Sequence, residues 1–495
     1  MLAFIVKKGK RLKSVIIVLF AMLYISCASK VETVVIPPLA SEDHNIIEES
    51  YESVPTTDVL DFNQDSNTLE ENLPQIEIQL EQKQDEPMVE KEIYPVYGAR
   101  LMDRLTLEIV LSPEAMLSVP EQMLYFLPME KNGNTLYNSL YNISLSGEIP
   151  GTVTFSQAGM DNVPIQFELI SDDKDSYYAR PQDPVQRNYL IKEITINFDD
   201  GTKIAGELTA LDDSKERTAV ILINGSGTQN RNEELANHRP FLVLSDYLTK
   251  EGFAVLRTDD RGIGGSTGDV YKLTTFDFAD DVIAEVRFLK QLGYKKICLV
   301  GHSEGGTIAS IVADVEDVSG IVTLGAPAVS GVEISLDQLR TQFESFGYDE
   351  LQINTFLDIY RDFYESVVLG DFKKARAAME QTFGKATADT MIESVTLPWN
   401  MTFLSLDPSI YLSSLPCKTL VLQGSLDSQV RPEINEEAML KALSMASGDC
   451  SYVTFEGKNH LFQNAKTGMV DEYGLIAETI SPDVMRMIVS FVSSL

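Results

Sequence analysis

The sequence predicts an α/β protein built on a mostly parallel central sheet with helices on both faces, preceded by a small β-rich unit. Three observations carry that expectation. The runs Thr218 to Ile223, Phe253 to Leu256 and Ile297 to Val300 are almost continuously apolar, as strands buried on both sheet faces require. Between them, Phe241, Leu244 and Leu248, and then Phe278, Val282, Val286 and Leu289, recur at helical spacing. Upstream of Arg180 the rhythm is different, with apolar and polar residues alternating as in half-buried strands.

Taken in order, the chain opens on a basic stretch, Lys7, Lys8, Lys10, Arg11 and Lys13, followed by the apolar run Ser14 to Ile25. A dozen apolar residues fall short of the roughly 20 that span a bilayer, so the segment reads as an export signal. Its end, Leu23-Tyr24-Ile25-Ser26-Cys27, resembles a bacterial lipoprotein cleavage site, which implies residues 1–27 as signal and lipobox, lipidation at Cys27, and anchoring to a bacterial membrane in the cell envelope. The other reading is an ordinary signal peptide with an unmodified cysteine. Residues 28–93 read as an acidic disordered tether. From Val31 to Glu92 there are 17 acidic residues against two basic ones, Lys83 and Lys91, and no glycine. Such a segment cannot bury enough apolar surface to offset its ordering entropy.

Residues 94–185 form the β-rich unit, with alternating runs at Leu105 to Ile109 and Ile165 to Leu169 and a turn signal at Asn132-Gly133. Arg180-Pro181-Gln182-Asp183-Pro184 interrupts regular structure and marks a boundary. Residues 186–495 carry the α/β rhythm. Ile191 to Phe198 and Lys203 to Leu211 flank the hairpin signal Asp199-Asp200-Gly201. After the strand Ile321 to Leu324 the alternation lapses over about 326–413 into helical stretches, and the sheet resumes with Lys418 to Leu422 and Ser451 to Phe455. An insertion there reads as a lid over the carboxyl ends of the strands, or as a second structural bundle.

The overall charge of −34, with 74 acidic against 40 basic residues, argues against nucleic acid as a partner, because phosphate neutralisation needs Lys and Arg. The chemistry concentrates instead at Gly301-His302-Ser303-Glu304-Gly305-Gly306. A strand leads in and Thr307, Ile308, Ile311 and Val312 begin a helix, the context of a strand-to-helix elbow that presents a serine nucleophile. A serine hydroxyl needs a base within hydrogen-bond reach. The four histidines make that search short: His44 lies in the tether, His302 occupies the variable elbow position, His238 reads as structural, and His460 follows the strand Ser451 to Phe455. His460 is therefore the predicted base. Asp427, after the strand and turn Leu420 to Gly424, falls between Ser303 and His460 in the required chain order and is the predicted acid. Asp259 and Asp260 precede Ser303 and are expected to brace the turn Arg261 to Gly264.

An oxyanion hole is expected from two backbone N–H groups, that of Glu304 at the start of the helix and that of Ser226 in Asn224-Gly225-Ser226-Gly227-Thr228. The latter loop lacks the spacing of a phosphate cradle. No metal or organic cofactor is implied. Cys417 and Cys450 each precede a strand, and the two strands are expected to be parallel neighbours, so a disulfide and a pair of free thiols are both open. Cys298 reads as a packed apolar residue.

Gly225-Ser226-Gly227, Asn230 to Glu233, Asp259 to Gly264 with Ser266, Gly301 to Gly305, Gly424 to Asp427 and Asn459-His460 together resemble bacterial α/β-hydrolase carboxylesterases. The likeness is greatest to the group related to serine aminopeptidases and dienelactone hydrolases that carries an N-terminal β domain. It covers roughly Tyr94 to Leu495 and departs at Asn224, where members of that group often have histidine. The resemblance implies a serine hydrolase acting on a small ester. A peptidase or thioesterase could use the same machinery, and a non-catalytic surface binding lipoprotein is the reading from another class.

Overall fold

The computed structural model describes residues 93–495 apart from 103, 104, 123, 158 and 159. The expectations for the export signal, for Cys27 and for the acidic tether, His44 included, lie outside the described residues. No described helix is long and apolar enough to cross a membrane.

The described chain begins with nine strands: β1 (Val96–Leu101), β2 (Leu105–Val110), β3 (Met116–Val119), β4 (Leu124–Pro128), β5 (Glu130–Asn132), β6 (Thr135–Asn138), β7 (Ile143–Gly147), β8 (Gly151–Gln157) and β9 (Met160–Ser171). They form one antiparallel sheet in the order β4-β3-β2-β1-β9-β8-β7-β6-β5. Alternation decides which side is buried: Ala99, Leu101, Leu107, Ile109, Leu117, Leu145, Val153, Phe155, Ile165 and Phe167 share one apolar cluster.

A short helix, α1 (Lys174–Tyr178), leads into the prolines of the connecting segment. This segment is tightly held. The Arg180 guanidinium donates to four backbone carbonyls, those of Ala236, Asn237, Gly474 and Ile476. Two residues later the Gln182 amide donates to the Ile480 carbonyl and accepts from Ile480 N–H at 3.1 Å.

The second sheet contains β10 (Leu190–Asn197), β11 (Lys203–Ala210), β12 (Ala219–Ile223), β13 (Ala254–Thr258), β14 (Ile297–His302), β15 (Gly320–Leu324), β16 (Lys418–Gly424) and β17 (Cys450–Phe455). Its order is β10-β11-β13-β12-β14-β15-β16-β17, parallel from β13 onward and antiparallel at β10 and β11. The continuous apolar runs are explained by burial on both faces. Ala219, Ile221 and Ile223 of β12 pack into one cluster and Val220 and Leu222 into the other. Helices α2 (Pro240–Lys250) and, at the end of the chain, α12 (Pro482–Ser493) cover the second of these faces; α3 (Thr275–Gln291), α4 (Glu304–Val315) and α11 (Pro432–Leu443) cover the first.

Between β15 and β16 lie α5 (Gly331–Ser345), α6 (Glu350–Val368), α7 (Phe372–Phe383), α8 (Lys385–Val395), α9 (Pro398–Ser405) and α10 (Ser409–Leu412). Most of these pack on a cluster of their own, around Leu336, Phe343, Ile353, Tyr360, Phe363, Met379 and Met391. The insertion is tied back to the sheet by Arg431, whose Nε donates to Asp337 at 2.8 Å.

The possible bond between Cys417 and Cys450 is not formed: Cys298, Cys417 and Cys450 are all free. The strands are parallel neighbours, but their register sets Cys450 opposite Thr419 rather than Cys417. The Cys450 thiol turns instead to the Gly448 carbonyl. Cys298 is fully buried inside β14, as a packed apolar residue would be.

Candidate active site

Ser303 sits between β14 and α4 with φ 54° and ψ −121°, a left-handed conformation that a residue with a Cβ rarely adopts. Such strain persists only where the surroundings over-determine it. Here they do. The Ser303 N–H donates to the Leu324 carbonyl at 2.8 Å, and the chain on either side has no room to relax. A Cβ at Gly301 would overlap the Gly305 carbonyl, and one at Gly305 would overlap the Ile223 carbonyl. Glycine is required at both positions by this close approach rather than by φ.

The predicted acid and base meet. His460 Nδ1 lies 2.8 Å from Asp427 Oδ2. The other carboxylate oxygen, Oδ1, accepts the N–H groups of Gln429 and Val430 at 2.8 and 2.9 Å, and the Gln423 amide donates to Oδ2 at 3.2 Å. Asp427 is thus a fully buried acceptor to which His460 Nδ1–H donates, leaving the lone pair of His460 on Nε2. The pair rests on Gly325, the residue after β15. A Cβ there would stand 3.0 Å from both Asp427 Oδ2 and His460 Nδ1. Ser303, Gly325, Asp427 and His460 therefore follow four neighbouring parallel strands at their carboxyl ends, where a doubly wound sheet gathers its chemistry.

Around the expected oxyanion hole, Gly225 N–H is committed to Glu233 Oε1 at 2.8 Å, and Ser226 follows it in the loop after β12. Glu304 lies in the first turn of α4, so its N–H stands at the positive end of that helix. Its side chain, to which the sequence assigns no role, also has work: the buried carboxylate accepts from Thr275 Oγ1 at 2.6 Å, from Trp399 Nε1 at 3.1 Å and from the Ser226 hydroxyl. Burial raises its pKa, and those three bonds oppose the rise only in part. Through Glu304 one carboxylate joins the Ser226 loop, α3 and helix α9 of the insertion.

The two earlier aspartates brace different things. Asp259 accepts from Gly265 N–H and pairs with Arg231, supporting the turn as expected. Asp260 does not touch that turn through its carboxylate. It accepts from Gln229 N–H at 2.7 Å and from the Asn224 amide at 3.0 Å, so it holds the loop that carries Ser226. The unusual Asn224 thereby finds a partner. His238 is a structural histidine, between Thr479 Oγ1 and the Tyr473 carbonyl, and burial pushes its pKa down to about 3.

His302 and Glu233 are the residues whose roles the sequence does not disclose. His302 Nδ1 lies 2.8 Å from Glu233 Oε1, and Nε2 lies 3.0 Å from the His460 carbonyl. These contacts join positions 69 and 158 residues apart, and no local spacing reports them.

Beside the Ser226 loop, burial pushes the carboxyls of Asp260 and Glu285 each up to about 8, despite bonds from Asn224 and Gln229 to the first and from Thr258 to the second. Both stay protonated when folded at pH values where the unfolded chain ionises them. With folded pKa above unfolded, the stability they confer is complete below about pH 4 and is lost as pH rises toward 8. Glu285→Gln, which keeps an acceptor for Thr258, should therefore flatten the fall of the calorimetric melting midpoint between pH 5 and 8. The slope removed is at most about 1.4 kcal/mol per pH unit. An unchanged slope would refute the assignment.

A twisted, mostly parallel sheet with a strained serine at a strand-to-helix turn and a buried Asp-His pair beyond it defines an α/β hydrolase. Residues 218–438 match the family described as alpha/beta hydrolase fold. Among curated proteins the chain is similar to esterase EstD of Thermotoga maritima, 23% identical over 326 residues, which are 65% of this chain and 72% of that protein. It is also similar to an acyl transferase of Shewanella hanedai, 30% identical over 161 residues, 32% of this chain and about half (47%) of that relative's length. Among solved structures, the esterase Pf2001 of Pyrococcus furiosus aligns with 62% of this chain and 93% of its own, at 16% identity and a TM-score of 0.38. That last likeness is too distant to bear on the chemistry.

Proposed function

We propose that the protein is a serine hydrolase that cleaves carboxylic esters through an acyl-enzyme. Ser303 attacks the ester carbonyl as His460 Nε2 takes its proton. Asp427 holds the imidazole in the tautomer this requires and stabilises the imidazolium that forms. The N–H groups of Ser226 and Glu304 receive the oxyanion. His460 then protonates the leaving alcohol, and water, deprotonated by the same imidazole, releases the acid. The observation that carries this reading is a strained Ser303 after β14 together with the Asp427 to His460 hydrogen bond after β16 and β17, at the same carboxyl edge of the sheet. Kinship to an esterase supports the substrate class.

In this reading α5 to α10 form the lid, with Trp399 of α9 bonded to the residue after the nucleophile. The first twenty-seven residues are proposed as a lipoprotein signal ending in a lipidated Cys27, residues 28–93 as a tether, 94–185 as a separate β unit and 186–495 as the catalytic domain. That places the enzyme in the cell envelope.

A fluorophosphonate probe tests the mechanism directly. It should add one phosphonyl group to the tryptic peptide containing Ser303, and the label should be absent from Ser303→Ala. Labelling elsewhere, or none, would refute the assignment.

A further inference from the structure

His302 touches acceptors on both sides of its ring. Glu233 presents a carboxylate oxygen to Nδ1, and that same Oε1 already accepts the Gly225 N–H. The partner of Nε2 is a backbone carbonyl, that of His460, which can only accept. A neutral imidazole has one N–H and would turn a lone pair toward one of these oxygens. Two donors are needed, and two donors make an imidazolium. A buried cation requires a charge partner, which Glu233 supplies. Glu233 is itself held at φ +52°, one of several left-handed residues with a Cβ in these loops, with Ser303 and Phe462.

We propose that Glu233 and a doubly protonated His302 form a buried ion pair that locks the oxyanion loop to the loop of the base, which makes both of them positioning residues for ester hydrolysis. The proposal rests on the roles given above to Ser226 and His460. Three hydrogen bonds run in series. They go from Gly225, beside Ser226, to Glu233, from Glu233 to His302, beside Ser303, and from His302 to the backbone of His460. The titratable groups facing the His302 ring are Glu233, His460, whose ring centroid is 4.6 Å away, and Asp427. The small pocket that His302 lines is, apart from Glu233, apolar, with Phe241, Leu244, Leu324, Leu461 and Phe462 in its wall. Burial alone would lower the His302 pKa, but the charge and hydrogen bond of Glu233, the His460 carbonyl and Asp427 together raise it above the ordinary value. Without the positive charge, one of the two contacts becomes a repulsion between lone pairs and the latch opens on that side.

The test uses the full chain labelled with ¹⁵N-histidine. The His302 ring signals, identified by their loss in His302→Asn, should show both nitrogens protonated from pH 6 to 8. In Glu233→Gln, which keeps the shape and the acceptor but removes the charge, His302 should carry a single ring proton at pH 8. That variant should also lose about 10- to 100-fold in kcat, with KM changed less than threefold, as expected when reacting groups are misplaced rather than substrate binding lost. An unprotonated His302 nitrogen at pH 7 in the wild type would overturn the proposal even if the variant failed to fold. Wild-type kcat in a folded Glu233→Gln would overturn it too. Phosphonylation of Ser303 in Glu233→Gln separates the two ideas, because it persists if only the latch is wrong and is absent in every form if the acylation site itself is misassigned.

Discussion

Ser303→Ala is expected to reduce ester hydrolysis by about 10⁵- to 10⁶-fold while leaving the fold intact. Every other component of the site would remain: the His460 to Asp427 bond, the start of α4 and the oxyanion loop do not depend on the serine hydroxyl. Alanine carries the same Cβ into the same left-handed conformation, so it neither adds nor relieves backbone strain. Steady-state hydrolysis of short p-nitrophenyl esters, with circular dichroism to verify folding, checks both halves of the expectation. Undiminished turnover would end the proposed mechanism. Ser303→Gly sharpens the point. It should be equally inactive yet more stable than wild type by about 1 kcal/mol, because glycine adopts positive φ without penalty. A more stable, inactive glycine variant would show that the strain is maintained for chemistry.

Asp427→Asn should cost about 10⁴-fold in kcat, and about 1–3 kcal/mol in stability because the NH₂ group that replaces Oδ2 meets the buried Gln423 amide donor. The surroundings determine how the new amide sits. Gln429 N–H and Val430 N–H both donate to Oδ1, so the amide oxygen stays there and the NH₂ group takes the place of Oδ2. That group then faces His460 Nδ1 as a donor. The imidazole must answer with a lone pair on Nδ1, which puts its proton on Nε2, the atom that should receive the Ser303 proton. Geometry is preserved while the tautomer is reversed. A stopped-flow acylation burst reads the acylation step directly. An unaltered burst rate would mean that Asp427 does not orient the base.

Much of this site can be read from the chain because its parts obey local rules. β12, β14 and β16 are continuous apolar runs since neighbours cover both faces, and Ser303 and Asp427 follow such runs while His460 follows the edge strand β17, in an order that the topology gathers at one edge of the sheet. Ends of strands are less legible. β14 extends through His302 and β13 through Thr258, where polar residues close the apolar pattern but continue the ladder. Contacts made across the sheet leave no local trace. Nothing near Glu304 announces Trp399, 95 residues later, and the variable elbow position of His302 conceals a contact with His460 at a separation of 158. Cys417 and Cys450, for which both a bond and free thiols are open from the sequence, show the converse. Adjacency of two strands is inferable from order, whereas register depends on packing that neither strand encodes alone.

The connecting segment between the two sheets has a mechanical consequence for catalysis. Arg180 and Gln182 do not merely join one sheet to the next, because the carbonyls they hold belong to two particular stretches, Ala236 with Asn237 and Gly474 to Ile480. The first stretch continues the loop that carries Ser226 and Glu233; the second follows the loop that carries His460. A clip two side chains wide thus grips both loops of the site from outside the sheet that bears it. The second sheet is anchored by residues that a cut at position 186 would remove, so such a truncation should lower its melting midpoint.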